Sequence, residues 1–145
     1  LNKSFKIVQE NVSKSKKNVF RGLHFQKNPF PQAKLVEVIE GKIIDFVVDL
    51  RRNSKNYKKF LKIELSDDNK LQLFVPEGYA HGFYVKSKYA KVRYKVNNYF
   101  SKKHDSGISP FDQDLKISNF LKKNKIIISD KDKNLSNLKD IEPLF

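Results

Sequence analysis

Two histidines and a tyrosine are the residues of this sequence best suited to catalysis: His24, His81 and Tyr94. Histidine has an unperturbed pKa near ~6.5, so it can act as a general base at neutral pH. A histidine base on one side of a substrate carbon and a tyrosine acid on the other could invert that carbon. The carbon must lie next to a carbonyl group, so that a cation such as Lys34 can stabilise the enolate. From residue types alone, a half-buried structural histidine remains an open alternative.

Other catalytic chemistries lack their residues. The sequence contains no cysteine, which excludes disulfides, thiolate zinc sites and cysteine nucleophiles. It has no Gly-x-Ser-x-Gly motif for a serine nucleophile, and its glycines are scattered singly rather than grouped in a phosphate-binding loop. The three histidines stand apart at positions 24, 81 and 104, without the His-x-His pair typical of a jelly-roll metal site. We therefore expect no metal, and we interpret His104 as a surface residue.

The composition predicts one domain with a basic surface. The 145 residues are enough for one hydrophobic core, so we treat residues 1–145 as a single domain. The net charge of +14 suits an anionic small molecule, a nucleic acid or a merely solvated lysine-rich surface. Only four of the thirty basic residues are arginines, and the lysines are spread along the chain, which favours the solvated surface over nucleic acid.

The ends of the chain and its hydropathy lead to expectations about location. No signal peptide and no apolar run long enough to cross a membrane is present in the sequence, so we expect a cytoplasmic protein without a membrane partner. The sequence contains no methionine, even at position 1, which predicts that the chain does not begin where its gene does.

Short extended segments rich in Val, Ile, Phe and Tyr position these residues. They are separated by turn residues and predict an all-β fold, an antiparallel jelly-roll (cupin-like) barrel that can hold a ligand inside. Glycine or polar stretches at 40–42 and 66–70 predict tight hairpin turns, and the chain after Ser101 reads as an irregular tail with one short helix near its end. The predicted strands are 5–10, 18–26, 33–41, 42–51, 58–66, 71–76, 82–87 and 91–100.

Alternation within these strands predicts which side chains point into the barrel. In the stretch RGLHFQ, Leu23 and Phe25 share one face and His24 lies on the other. Charged residues within apolar strands are costly to bury alone, so they should be paired or bind a ligand. The residues that could point inward from different strands are His24, Lys34, Asp45, His81 and Tyr94.

Five motifs carry a resemblance to a known family. In order they are QENVSKSKKNVFRGLHFQ, QAKLVEVIEGKIIDFVVDLR, LSDDNKLQLFVPEGYAHGF, RYKVNNYF and ISDKDKNLSNL. Their order and spacing resemble those of dTDP-4-dehydrorhamnose 3,5-epimerases, enzymes of the cupin-like jelly-roll class. The resemblance covers nearly the whole chain, from about Phe5 onward.

The resemblance implies an activity and a partner. The family acts in dTDP-rhamnose biosynthesis on a dTDP-4-keto-6-deoxyhexose and inverts C3 and C5, next to the C4 ketone, with no metal or organic cofactor. It also implies a homodimer.

The same resemblance assigns roles to individual residues. His24 of RGLH would be the base, and Asp132 of SDKD would hydrogen-bond to it and raise its basicity. Tyr94 of RYK would be the acid, and Lys34 of QAKLV would lie near the C4 oxygen. The implied substrate-binding residues are Gln9, Asn11, Arg21, Gln26, Asp45, His81, Tyr99 and Lys131, with Asp45 supporting the polar wall of the pocket.

Two departures from the family pattern keep alternatives open. No stretch here matches the family's N-terminal RG-x-F-x-E string, which puts activity and dimerisation in question. Phe100 stands where many members carry a second tyrosine, so inversion at C3 alone becomes possible. The remaining alternatives are a ketoisomerase of another nucleotide sugar, a catalytically inactive fragment that still binds the nucleotide, and a non-catalytic basic barrel that binds nucleic acid.

Overall fold

A computed structural model describes residues 4–141 and 145 of the chain, and most of the regular structure in this part is antiparallel sheet. Two short helices, α1 (Ile117–Lys122) and α2 (Asp130–Lys133), follow the last strand. No helix within the described residues is long and apolar enough to cross a membrane. The strands are β1 (Gln9–Lys16), β2 (Phe20–Gln26), β3 (Lys34–Glu40), β4 (Lys42–Asp49), β5 (Phe60–Ser66), β6 (Gln72–Val75), β7 (Tyr79–Val85), β8 (Tyr89–Val96) and β9 (Asp105–Gly107).

The strands form two sheets that face each other. The four-stranded sheet has the order β1-β8-β3-β6, and the five-stranded sheet has the order β5-β4-β7-β2-β9. Each pairing between these strands is antiparallel. The predicted all-β antiparallel jelly roll is therefore confirmed.

The two predicted hairpin turns are wrong. The turn at Gly41 joins β3 of the four-stranded sheet to β4 of the five-stranded sheet, and the turn after Ser66 carries the chain back from β5 to β6. Gly41 has φ +88°, which glycine adopts freely, so the turn residue itself was recognised correctly. A turn residue shows that the chain reverses, but the partner of each strand is decided by which apolar faces meet inside the barrel.

The first strand and the C-terminal region also differ from the prediction. We expected a strand at 5–10, whereas β1 covers Gln9–Lys16 and pairs with β8 along its whole length. Its sequence, QENVSKSK, has no apolar face because its inward residues are polar. Strand β9 was not predicted at all, and the tail contains two short α-helices rather than one.

An apolar core fills part of the space between the sheets. Val36 and Val38 of β3 face Ile43 and Val47 of β4 across the barrel, all 7% exposed or less. The same cluster contains Leu65, Val75, Phe83, Val85, Ala90 and Val92. The apolar side chains occupy only part of the barrel, and its other inward positions carry the polar residues described below.

A second core covers the outer face of the five-stranded sheet. Leu23 and Phe25 of β2 point outward into this core, opposite to His24, as their alternation predicts. The C-terminal region supplies the covering residues Ile108, Leu115, Ile117, Leu121 and Leu138. The region after Ser101 is therefore an integral layer of the fold, and it places α2 next to β2.

Replacement of Leu115 by alanine tests this second core. Leu115 is 1% exposed, so Leu115→Ala should lower the free energy of unfolding by about 3 kcal/mol through lost burial and the cavity left behind. The measurement is equilibrium urea denaturation. The control is Leu61→Ala, which removes the same atoms from a side chain that is 52% exposed. Equal losses in the two variants would contradict packing of the C-terminal region on the sheet.

Candidate active site

A cavity of about 420 Å³ opens between the two sheets. Its walls come from β1, β3 and β8 on one side and from β2 and β7 on the other, and β9, α2 and the segments before β3 and after β8 also border it. The lining residues are Gln9, Asn11, Ser13, Arg21, His24, Gln32, Lys34, His81, Gly82, Phe83, Tyr94, Phe100, Asp105 and Lys131.

Strand register explains why these distant residues meet. In the four-stranded sheet, Gln9 and Lys34 both lie opposite Val96, on its two sides. Two positions further along β8, Asn11 lies opposite Tyr94. Because side chains two apart share a face, these polar residues point into the barrel together.

His24 and His81 form the facing wall. They are direct cross-strand partners on β2 and β7, at a point where the register of β2 shifts after Arg21. The side chain of His24 is 32% exposed and borders the cavity. The irregular register keeps both Arg21 and His24 on the cavity side although they are three residues apart.

The central contact is a hydrogen bond between His24 and Asp132. The Nε2 atom of His24 lies 2.6 Å from Oδ1 of Asp132, a residue 108 positions along the chain. A carboxylate can only accept, so Nε2 carries the hydrogen and Nδ1 keeps a free lone pair. Nδ1 has no hydrogen-bond partner among residues 4–141 and 145. This nitrogen can therefore take a proton from a bound molecule.

Asp132 is held rigidly for this contact. Its Oδ2 accepts the backbone N–H of Gly22 at 3.0 Å, and its own N–H donates to the capping hydroxyl of Ser129 at 3.2 Å. Burial by itself would raise the pKa of Asp132, but the hydrogen bonds from His24 and Gly22 outweigh it and hold the pKa below its ordinary value of 3.8. Asp132 is thus ionised at neutral pH and fixes the orientation of the imidazole.

Lys34 is a buried cation that faces the cavity. It is 9% exposed, and its ammonium group makes no hydrogen bond or ion pair with any described residue. Burial lowers the pKa of Lys34 from 10.5 to about 8, against the attraction of Asp45 and Asp105. At neutral pH the group still carries its charge, which is available for an oxygen that becomes negative in the cavity.

Tyr94 supplies a weak acid to the same space. Burial raises the pKa of its phenol above the ordinary value of 10.0, with Arg21 acting in the opposite direction. The hydroxyl therefore holds its proton at neutral pH. No described residue makes a hydrogen bond to it, so the proton can be donated to a ligand.

A second histidine–carboxylate pair joins the neighbouring strands β7 and β4. Nε2 of His81 is 2.9 Å from Oδ2 of Asp45, which is completely buried. The other oxygen of Asp45 has no partner among the described residues. Asp45 does not line the cavity, whereas His81 does, so the carboxylate acts on the cavity through His81.

The mouth of the cavity is cationic and contains one residue that the sequence analysis missed. Arg21 donates from Nε to Ser15 at 2.8 Å and stays exposed, and Lys131 forms an ion pair with Asp105 at 2.7 Å. Asp105 also lines the cavity. It lies on the short strand β9, where no alternation signalled a strand. Other lining residues missed from the sequence are Ser13, Gln32, Gly82 and Phe83.

Besides Asp45, two further residues predicted to bind substrate lie outside the cavity lining. Gln26 is 2% exposed and uses its side-chain amide on backbone groups of its own chain. Tyr99 is 69% exposed, and its neighbour Phe100 borders the cavity instead. Both aromatic residues follow the end of β8 at Val96, where strand alternation no longer predicts the direction of a side chain.

No group of three or more metal-ligating side chains occurs in the part of the chain that the structure describes. A metal-free site stays a prediction from the sequence.

Replacement of Lys34 by methionine tests the cost of its burial. The folded-state pKa of about 8 lies below the unfolded value of 10.5, so the charged form is penalised in the folded state at every pH below 8. Lys34→Met should therefore raise the free energy of unfolding at pH 7 by about 3 kcal/mol. The gain should shrink between pH 8 and 10.5, because the folded native protein then releases a proton that the unfolded chain retains.

Urea denaturation at several pH values measures this effect, with Lys62→Met on the exposed part of β5 as the control. If Lys34→Met lowers the free energy of unfolding, or raises it by an amount that does not change with pH, the burial of the Lys34 ammonium is not costly in the folded protein.

Comparison with known proteins agrees with this geometry. The sequence model described as dTDP-4-dehydrorhamnose 3,5-epimerase matches residues 1–140. The chain is 46% identical over 110 residues to the dTDP-4-dehydrorhamnose 3,5-epimerase of Shigella flexneri, covering 76% of this chain and 61% of that protein. It is 42% identical over 134 residues to the enzyme of the same name from Escherichia coli K12, covering 92% and 72%. The chain thus spans only part of the length of these curated relatives.

Solved structures give the same result. The dTDP-4-dehydrorhamnose 3,5-epimerase of Elizabethkingia anophelis superimposes with a TM-score of 0.89 at 44% identity, covering 93% of this chain and 74% of that one. A dTDP-6-deoxy-D-glucose-3,5-epimerase of Legionella pneumophila, solved in complex with dTDP-4-keto-L-rhamnose, has a TM-score of 0.89 at 35% identity and covers 96% and 73%. A motif-based resemblance, a matching barrel and a shared sequence model lead to one conclusion: this chain belongs to the dTDP-4-dehydrorhamnose 3,5-epimerase family.

Proposed function

We propose that this chain inverts C3 and C5 of a dTDP-4-keto-6-deoxyhexose, as in dTDP-L-rhamnose biosynthesis, using only its own side chains. The observation that carries the proposal is the hydrogen-bonded pair of His24 and Asp132, which leaves a basic nitrogen in a cavity that Tyr94 and Lys34 also line. Membership in the family supplies the substrate class.

The first step is proton abstraction by His24. The C–H bond at C3 or C5 breaks, its proton moves to Nδ1, and its electron pair forms a double bond to C4. The negative charge then lies on the C4 oxygen. Lys34 stabilises this charge electrostatically, and because the site is buried the interaction is stronger than it would be in water. Asp132 stabilises the imidazolium that forms.

The second step is proton donation by Tyr94 to the opposite face of the carbon. The electrons of the double bond return to form the new C–H bond, the C4 ketone is restored and the configuration is inverted. Tyr94 then regains a proton from solvent, and His24 releases its own. The raised pKa of Tyr94 suits this role, because the phenol remains protonated until the enolate is present.

The nucleotide diphosphate fits the cationic mouth of the cavity. Arg21 and Lys131 are exposed there, and Gln9 and Asn11 offer amide groups beside them. Lys131 must share its charge between Asp105 and the incoming phosphates. We infer from this concentration of cations at one cavity that the anionic partner is a small molecule rather than a nucleic acid. The cytoplasmic location stays a prediction.

Hydrogen exchange in heavy water tests the proposed reaction. When the chain is incubated with dTDP-4-keto-6-deoxyglucose, the proton NMR signals of the sugar at both C3 and C5 should disappear. Each abstracted proton is replaced by deuterium from the solvent. His24→Asn should slow this exchange by at least about a hundredfold, since it removes the base, while dTDP still binds. Gln113→Asn, at an exposed position outside the cavity lining, is the control.

Four outcomes would count against parts of the proposal. Exchange at C3 alone would make the chain a single-site epimerase and direct attention to Phe100, and appearance of a keto group at another carbon would indicate a ketoisomerase. Unchanged exchange in His24→Asn would remove this residue from the role of base. Absence of both exchange and dTDP binding would leave a basic barrel without this function.

We further infer that the chain forms a homodimer through the outer face of the four-stranded sheet. The C-terminal region covers the outer face of the five-stranded sheet, whereas on the equivalent face of the other sheet Phe5 packs against Phe74 of the edge strand β6. Val12 and Ile39 are 56% and 44% exposed there. These two side chains lie on β1 and β3, on either side of β8, whose Arg93 pairs with Glu37, so the face offers both apolar and charged contacts to a second copy.

Sedimentation velocity measures the mass in solution. The native chain should sediment with twice the mass of one chain, and Val12→Lys combined with Ile39→Lys should sediment as a monomer, because burial of two lysines in an apolar interface is costly. Leu61→Lys, on the edge strand of the five-stranded sheet, is the control and should remain a dimer. A monomeric native chain would contradict the inference.

A further inference from the structure

The side chain of Gln26 is entirely occupied by backbone groups of two loops. Nε2 donates to the carbonyl of Phe30 at 2.5 Å and to the carbonyl of Tyr99 at 3.1 Å. Oε1 accepts the N–H of Ser101 at 2.8 Å. Gln26 is 2% exposed, so these bonds are shielded from water. A buried amide with both hydrogens and its oxygen engaged is a strong positional constraint.

The segment that Gln26 holds forms one side of the cavity mouth. This rim segment, residues 97–101, follows β8 and lies beside the loop 27–33 that precedes β3. Side-chain amides join the two: Asn98 donates to the carbonyl of Pro31 at 2.5 Å, and Gln32 donates to the carbonyl of Asn98 at 2.8 Å. The rim segment belongs to neither sheet, so its position depends on such side-chain contacts.

Phe100 lies between the two rim residues that Gln26 contacts. Its ring borders the cavity and is 58% exposed. The N–H of Phe100 has only a long contact, 3.4 Å, with Oε1 of Gln9. The bonds from Gln26 to Tyr99 and Ser101 therefore fix the backbone on both sides of the ring and decide how far the ring reaches over the mouth.

The catalytic groups do not depend on Gln26 in the same way. Asp132 on α2 orients His24 independently, through its bonds to Gly22 and Ser129. Tyr94 lies on β8, within paired regular strand. Loss of the Gln26 contacts would loosen the rim and leave the proton-transfer groups in place.

We propose that Gln26 is a positioning residue that locks the rim segment and thereby sets the affinity of the site for the nucleotide sugar, without touching the substrate. The sequence interpretation placed Gln26 among the substrate-binding residues, and its hydrogen bonds give it this indirect role instead. The effect on affinity rests on the proposed function, whereas the locking of the rim does not.

A tryptophan reporter measures the locking directly. The chain contains no tryptophan, so Phe100→Trp introduces a single fluorophore at the rim. In this background, Gln26→Glu replaces two N–H donors by an oxygen that faces the carbonyls of Phe30 and Tyr99, which is repulsive. We expect the acrylamide quenching constant of the free protein to rise at least twofold. Gln113→Glu, at an exposed glutamine of the C-terminal region, should leave it unchanged.

Kinetics of the single variant, with Phe100 retained, measure the effect on substrate binding. Gln26→Glu should raise KM and the Kd for dTDP about tenfold, with kcat within about twofold of the native value, since only binding is affected. A fall in kcat at unchanged KM would overturn the proposal, because Gln26 would then act on the reacting groups. An unchanged quenching constant would also overturn it, because the rim would then be held without Gln26.

A second variant covers the case in which Gln26→Glu does not fold. Ser101→Pro removes the N–H that Oε1 of Gln26 accepts, together with the hydroxyl that contacts His104, and leaves the buried glutamine in place; Ser101→Ala, which loses only the hydroxyl, is its control. Ser101→Pro should produce the same rise in quenching and the same loss of dTDP affinity, and the absence of both changes would reject the proposal. If the native chain binds no dTDP, the proposed function fails, and the quenching comparison still decides whether Gln26 locks the rim.

Discussion

The hydrogen bond between His24 and Asp132 is the contact on which the site depends. It joins residues 108 positions apart, and it forms only because the C-terminal region packs on the outer face of the five-stranded sheet. Strand β2 contributes side chains to both faces of that sheet. Leu23 and Phe25 pack in the outer core, and His24, which lies between them in the sequence, points into the cavity on the other face. The apolar packing on one face of β2 therefore positions the imidazole of His24 on the other face, which links the stability of the fold to the geometry of the site.

Burial of charge is the second constraint. The cavity end of the barrel holds Lys34 and Asp45 in a space where apolar side chains would pack more favourably. The hydrogen bond from His81 offsets part of the cost of burying Asp45, but Lys34 has no hydrogen-bonding partner among the described residues. A cation kept in such surroundings lowers the stability of the fold, and in the proposed function it stabilises the negative oxygen that arises during turnover. The proposed function accounts for the polar residues in one part of the barrel, while the rest is filled with Val, Ile and Leu.

The mouth of the cavity is built in a different way from its floor. Regular strand pairing fixes the floor residues Tyr94, Lys34 and His81, whereas side-chain amides fix the rim segment over the mouth. Chemistry at the floor requires groups held within a few tenths of an ångström. A mouth held by a few hydrogen bonds can differ in specificity without changing the floor. The site is thus divided into a floor held by strand pairing and a rim held by side-chain hydrogen bonds.

The sequence by itself determined most of the strands, the outward and inward faces of β2, and, through motifs matched to a family, the pairing of His24 with the distant Asp132. Local alternation and composition carry that information, because each depends on neighbouring residues. Only the tertiary structure decided that the Gly41 turn crosses between sheets, that the polar stretch QENVSKSK is a strand, and that the C-terminal region forms a core layer. It likewise moved Gln26 and Tyr99 out of the cavity wall and brought Asp105 into it. These features depend on which faces meet across long stretches of chain, and pairing between distant segments leaves no local periodic signal in the sequence.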